Sequence, residues 1–276
     1  MHILTIDVED WYHLIGNRYF SNPDNWYDNE SRLLKNLERI IALLEKYNRK
    51  ATFLVLGWIA EKYPSVIKLL VQNGFEIGSH SYLHRTTRFL NEKSFFADTD
   101  KSIKIIEDKS GKKVECYRMP AFSIDRTNKW VYDILAELGI KYDASLTAVN
   151  RRNKHIYPYQ IKTPNGNFIK ELPVSTFRYL GMNFNLGSGY FRMFPLKKIT
   201  QSLKKENYNL LYFHPRDFDL QTPVSLKVSL FQNFKNRIGL KQSINKFENI
   251  LNNFEFTDIK EASQKIDWMK VDTLNL

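Results

Sequence analysis

The chain has 276 residues, 43% of them hydrophobic and 14% aromatic, which is enough to build a sizeable core and excludes global disorder. A single cysteine, Cys116, excludes an intramolecular disulfide and a Cys-rich metal site, and its neighbours mark it as a buried strand residue. The net charge of +11 favours acidic partners or an anionic surface, but no basic block is interleaved with aromatics, which argues against nucleic acid.

His2 to Asp7 is a short β-branched run that predicts the first strand, and Asp7-Val8-Glu9-Asp10-Trp11-Tyr12-His13 follows it. On an extended segment residues two apart share a face, so Asp7 and Glu9 project together while Val8 points away. Three carboxylates in four positions repel one another unless a cation sits among them. Apolar residues at Leu33, Leu34, Leu37, Ile40, Ile41 and Leu44 predict a helix within 31–47. Residues 50–57 then read as a buried strand, 59–73 as helix with Pro64 at a break or start, and 75–78 as a third strand. Helix over 94–109, strand over 114–118, helix over 128–138 and strand over 140–143 continue a β/α rhythm, which argues for parallel strands with crossover helices.

The rhythm loosens from about 147 to 195, where loops and hairpins are expected, one of them around Asn165-Gly166-Asn167. Helix over 196–206 and an apolar strand over 208–214 follow. A long helical region over 231–252, a strand over 255–257 and a helix over 258–266 complete a helical C-terminal part from about 226. One domain spanning 1–276 is expected. No secretory signal peptide is visible, and no apolar run approaches the roughly 20 residues needed to span a bilayer. The expected location is therefore cytoplasmic, with scattered Lys and Arg holding the protein at the anionic inner face of the membrane.

Four strand ends carry polar residues: Asp7-x-Glu9-Asp10, His80-x-x-x-His84, Arg118-x-Pro120-x-Phe122 and His214. The lead-in Gly74 to Gly78 places His80 just past a strand, and histidines four apart on a helical turn would aim both imidazoles at one ion. Two histidines and a carboxylate leave open positions on a divalent ion, most simply zinc, for water and substrate. Strand alternation favours Glu9 as the third ligand; a turn beginning at Glu9 would favour Asp10.

In this order the motifs resemble the polysaccharide deacetylases of the NodB-homology type, carbohydrate esterase family four. The matching segments are Thr5-Ile6-Asp7, His80-Ser81-Tyr82-Leu83-His84, Arg118-Met119-Pro120-Ala121-Phe122 and Tyr212-Phe213-His214. Asp7 to His13, Gly187-Ser188-Gly189-Tyr190-Phe191-Arg192 and His214-Pro215 resemble the branch found with exopolysaccharide and surface-glycan biosynthesis. The resemblance implies an α/β fold, a distorted (β/α) barrel of eight or fewer regular strands with loop and hairpin insertions. It implies Asp7 as general base, His80 and His84 as metal ligands, and His214 as general acid. Arg118 would hold Asp7 ionised, and Asp143 would hydrogen-bond His214. Trp11, Tyr12, Tyr82, Phe122 and Tyr190 are candidates for sugar stacking, each with core packing as the alternative.

Two departures stand out. Val8 follows Asp7 where much of the family has adjacent aspartates, and Phe122 lies two residues after Pro120 where the family's aromatic follows directly. The implied reaction is metal-dependent removal of an N-acetyl group from an amino sugar of a bacterial surface glycan or its nucleotide- or lipid-linked precursor. Hydrolysis of another linear or cyclic C–N amide bond, or non-catalytic glycan binding, are the alternatives. The intact polar set speaks against a binding-only role.

Overall fold

The computed structural model describes residues 1–125, 128–147 and 156–276. The chain order is β1 (His2–Val8), α1 (Leu33–Lys46), β2 (Thr52–Val55), α2 (Gly57–Lys62), α3 (Pro64–Gln72), β3 (Glu76–Ser79), α4 (Glu92–Ser110), β4 (Cys116–Tyr117), α5 (Trp130–Glu137) and β5 (Tyr142–Asp143). It continues with β6 (Tyr159–Lys162), β7 (Phe168–Glu171), β8 (Thr176–Tyr179), β9 (Met182–Asn185), α6 (Ser188–Met193), α7 (Leu196–Lys205) and β10 (Asn209–Phe213). Last come α8 (Leu230–Arg237), α9 (Leu240–Asn253), β11 (Phe256–Thr257), α10 (Ile259–Gln264) and β12 (Thr273–Asn275).

The main sheet runs β10-β1-β2-β3-β4-β5-β7-β6-β12, with β11 also paired to β1. From β10 to β7 every neighbouring pair is parallel. Crossover helices therefore cover the sheet, and β1 and β2 are buried on both faces, as parallel strands require. Of the stripe predicted on α1, Leu33, Leu37, Ile40, Ile41 and Leu44 are buried, whereas Leu34 is exposed. The result is a distorted α/β barrel. Among the described residues no continuous ladder runs from β7 round to β10. Instead the chain after β7 crosses the gap: Ser175 N–H donates to the Leu210 carbonyl (3.1 Å), and Gly187 bridges Tyr212 in parallel. A Cβ on Gly187 would lie 2.1 Å from the Tyr212 carbonyl oxygen, so this seam needs glycine.

The loop-rich region contains the expected hairpin, with Ile161 opposite Ile169 across the turn at 165–167. It holds a second one, β8–β9, that the pattern did not reveal; its residues 148–155 lie outside the described residues. The long helical region expected over 231–252 is made of two helices, α8 and α9. The break is at Gly239, whose φ of +72° and close approach to the Arg192 carbonyl exclude a side chain. Cys116 is buried in β4, and burial pushes its thiol well up, which suits packing and not nucleophilic work.

Candidate active site

Parallel strands deliver their C-terminal ends to one rim, and there β1, β3, β4 and β10 present Asp7, His80, Arg118 and His214. These residues line a cleft of about 340 Å³ together with Glu9, His13, His84, Phe122 and Arg216.

The loop after β3 is not helical, contrary to the expected helical turn. Ser81 and His84 both adopt positive φ (67° and 55°), and the amides of Tyr82 and Leu83 donate to the Asp98 carboxylate at 2.7 and 3.1 Å. The kinked loop nevertheless brings the two rings to one point. His80 Nε2 lies 3.1 Å and His84 Nε2 2.8 Å from Glu9 Oε1. His80 Nδ1 donates to the Arg118 carbonyl at 2.8 Å, which fixes the tautomer and leaves Nε2 with a free lone pair. His84 Nε2 is buried without a hydrogen-bond partner. Two imidazole nitrogens and a carboxylate oxygen converging in this way fit a divalent cation. Burial pushes the Glu9 carboxyl up, but its contacts with His84, Arg216, His214 and His80 outweigh it and hold the group well below the usual carboxylate range.

Asp10 points elsewhere. Its carboxylate accepts from Ser31 Oγ (2.6 Å), Arg32 N–H (3.0 Å) and Trp11 N–H (2.8 Å), so it ties the loop after β1 to the start of α1. Glu9, and not Asp10, faces the histidines, from a position just past β1 where its N–H donates to the Asp7 carbonyl at 2.9 Å.

Asp7 is held by Arg118, which is fully buried; Nη1 donates to Asp7 Oδ1 at 2.7 Å and to Thr5 Oγ1 at 2.8 Å, and Nε to the Ala144 carbonyl at 2.8 Å. His214 Nε2 faces Asp7 Oδ2 at 3.9 Å and Glu9 Oε1 at 3.6 Å.

Asp143 does not reach His214, so its expected role is corrected. It accepts from Ser145 Oγ at 2.5 Å and shares a hydrogen bond with buried Glu171. Burial and the Asp143 charge push the Glu171 carboxyl well up, making Glu171 the protonated partner. The carboxylate on His214 is Asp217, three residues later in the same turn: Nδ1 donates to its Oδ2 at 3.1 Å, and the His214 backbone N–H at 2.8 Å. Ser188 Oγ adds a contact to Nδ1 at 3.0 Å, and Arg192 Nε lies 3.0 Å from Asp217 Oδ1. Burial raises Asp217, but His214 and Arg192 outweigh it and the carboxyl is held below its ordinary value. An acid three residues after His-Pro was the available signal for this pairing. It explains the Gly187 to Arg192 segment too, since Ser188 and Arg192 both serve the His214 carboxylate.

Of the aromatic candidates, Phe122 alone lines the cleft; it packs edge-on against Tyr212 (centroids 5.0 Å apart). Trp11 and Tyr12 are buried in the core, Trp11 with its indole N–H on the Glu30 carbonyl, so neither can stack on a sugar. Tyr82 hydrogen-bonds Glu61 and Tyr190 packs on Phe184, both outside the cleft lining. Two further residues of the cleft wall went unforeseen, besides Asp217. Arg216 Nη1 sits 3.0 Å from Glu9 Oε2 and leaves Oε1 to the histidines. His13 accepts the Asp10 N–H through Nδ1 (2.8 Å), and burial keeps it neutral, so its Nε2–H belongs to the cleft wall. Ala121, Phe122 and Ser188 join Ser81 and His84 in holding positive φ around the rim, as constrained functional loops do.

Residues 26–142, including both histidines and Arg118, match the polysaccharide deacetylase family. That part of the chain belongs to the family. Residues 144–264 match a domain of unknown function (DUF3473). That part supplies Ser188, Arg192, His214 and Asp217, and its strand β10 pairs with β1, so it builds one side of the same cleft. The chain is 29% identical over 110 residues to a peptidoglycan deacetylase of Helicobacter pylori, covering 40% of this chain and 36% of that one. It spans about a third of the curated relatives it matches. By fold it is similar to a Mycobacterium smegmatis protein assigned to the polysaccharide deacetylases (TM-score 0.68, 19% identity, 100% of this chain and 92% of that one). It is also similar to BA3943 of Bacillus anthracis, described as a CE4 family pseudoenzyme (TM-score 0.51, 15% identity, 99% and 66%).

Proposed function

We propose that the chain is a metal-dependent hydrolase that removes N-acetyl groups from an amino sugar of a bacterial surface polysaccharide or its precursor. The observation that carries this reading is one cleft that joins the Glu9–His80–His84 cluster to Asp7 on one side and His214 on the other. A divalent ion on that cluster, zinc by its donor set, would supply Lewis acidity to the amide carbonyl and to an attacking water.

The chain's own residues carry the protons. Asp7, aimed by the buried Arg118, accepts the proton of the attacking water. His214 gives a proton from Nε2 to the departing nitrogen; the Asp217 carboxylate on Nδ1 orients the ring for this. Arg216 keeps the second Glu9 oxygen occupied, so Glu9 offers one oxygen to the ion. Phe122 and Tyr212 give the cleft an apolar wall against which a sugar face can pack.

Because a pseudoenzyme is among the neighbours by fold, turnover and not binding is the deciding readout. Acetate release from N-acetylglucosamine oligosaccharides should be abolished by chelator and restored by zinc. Release indifferent to chelator would refute the metal-dependent reading.

A further inference from the structure

Exposed apolar residues gather in one place beside the cleft. Leu226 is 100% exposed, Leu230 87%, Phe231 68% and Phe234 61%, all on α8 or the turn leading into it. Scattered exposed hydrophobics need no explanation, but four within nine residues make a patch. From Leu220 to Phe247 the sequence has no acidic residue and five basic ones, of which Lys227, Lys235, Arg237 and Lys241 are exposed. The opposite face of α8 is tied to the body: Asn233 is buried, and Arg192 donates to the carbonyls of Asn236 (2.9 Å), Ile238 (2.9 Å) and Lys235 (3.3 Å). The same helix lines the cleft through Gln232, Lys235 and Asn236.

From these features we infer that residues 220–241 form a membrane-docking surface for an anionic lipid leaflet, and that the substrate presented to the cleft is a lipid-linked amino sugar. The second clause rests on the deacetylase reading above; the first does not. Leucine and phenylalanine side chains flanked by lysines suit the boundary between acyl chains and anionic headgroups. A glycan partner would find no polar group on Leu226 or Leu230 to bind. With α8 seated on the leaflet, the cleft that it lines opens at headgroup level, where a lipid-linked sugar lies.

Co-sedimentation with phosphatidylcholine vesicles, with and without phosphatidylglycerol, tests the docking. The wild-type chain should bind the anionic vesicles and be released by salt. Leu226→Asp/Leu230→Asp/Phe234→Asp should lower partitioning by about a hundredfold. Lys227→Gln and Lys241→Gln should lower it by about fivefold each. Leu180→Asp, an exposed leucine at the β8–β9 turn, should leave it unchanged. Acetate release from a soluble oligosaccharide reports on the cleft separately, and the triple variant should retain it. No binding of wild type to anionic vesicles at low salt overturns the inference. So does a wild-type dimer that dissociates in the triple variant while vesicle binding persists, which would assign the patch to a second copy of the chain. Vesicle binding without acetate release from the oligosaccharide would leave the docking surface standing and remove the deacetylase reading.

Discussion

Asp217→Asn separates the proton-donor assembly from the rest of the cleft. Asp217 is buried and receives His214 N–H at 2.8 Å and His214 Nδ1–H at 3.1 Å, with Arg192 Nε at 3.0 Å. Each charge-assisted contact is worth about 1.5–3 kcal/mol. The amide keeps one acceptor oxygen, and Arg192 keeps three backbone carbonyls, so the loss falls at the lower end of the cost of breaking a buried pair, about 3 kcal/mol. The variant should fold and bind metal, as judged by denaturant unfolding and metal content. Its rate on an N-acetyl sugar should fall by about 10²–10⁴, the share of a positioned acid. On 4-nitrophenyl acetate, whose leaving group needs no proton, the defect should almost vanish. Asp143→Asn touches no atom of His214 and should not show that dependence on leaving group. If Asp217→Asn stays within about threefold of wild type on the amide while Asp143→Asn loses the acid step, His214 is positioned otherwise than argued here.

Glu9→Gln should empty the metal site, and Asp7→Asn should keep the ion while the rate drops by about 10²–10⁴. Asp10→Asn should also keep the ion and cost about 1–2 kcal/mol of stability from its loop contacts; metal analysis of the three proteins decides. Burial pushes Glu76 up to about 7, although Thr52 Oγ1 and Lys260 N–H donate to it. Its folded pKa exceeds its unfolded value, so stability is lost as pH rises from about 4.5 to about 7 and does not return above that. Glu76→Gln should therefore match wild type near pH 4, then melt progressively higher than it up to pH 8, by about 1–3 kcal/mol; parallel melting curves across that range would contradict this. Gly187→Ala forces a Cβ against the Tyr212 carbonyl and should cost about 3 kcal/mol. Its thermal melt and acetate release should both fall, with metal binding retained; wild-type behaviour would mean that the seam yields easily.

The parallel β/α body was legible because its strands are short apolar runs and its helices carry clean stripes such as Leu33 to Leu44. Asp7, Glu9, His80, Arg118 and His214 were legible for a related reason: strand ends deliver them to one rim whatever the loops do. What remained hidden depends on contacts between distant segments. Asp143 and Asp217 both follow strands, and sequence spacing cannot say which carboxylate a loop will carry to His214. Trp11 and Tyr12 look like sugar platforms until α1 and the 17–27 loop close over them, with Trp11 edge-on against Phe20. The helical turn expected at His80 to His84 failed because Asp98, on α4, satisfies the loop's amides and removes any need for helical bonding. The β8–β9 hairpin has little apolar alternation to announce it, its strands being TFRY and MNFN.

The seam between Gly187 and Tyr212 divides the chemistry as well as the sheet. The three residues proposed to hold the ion, Glu9, His80 and His84, follow β1 and β3, whose ladder through β2 is continuous. The partners that steady the proton donor, Ser188 and Arg192, begin at the residue after the seam glycine. A molecule in which this joint opens keeps its three ligands in place while His214 loses two of its supports. Local opening there would yield a species that titrates with metal like the intact protein but does not turn over, so metal occupancy alone would overcount active molecules.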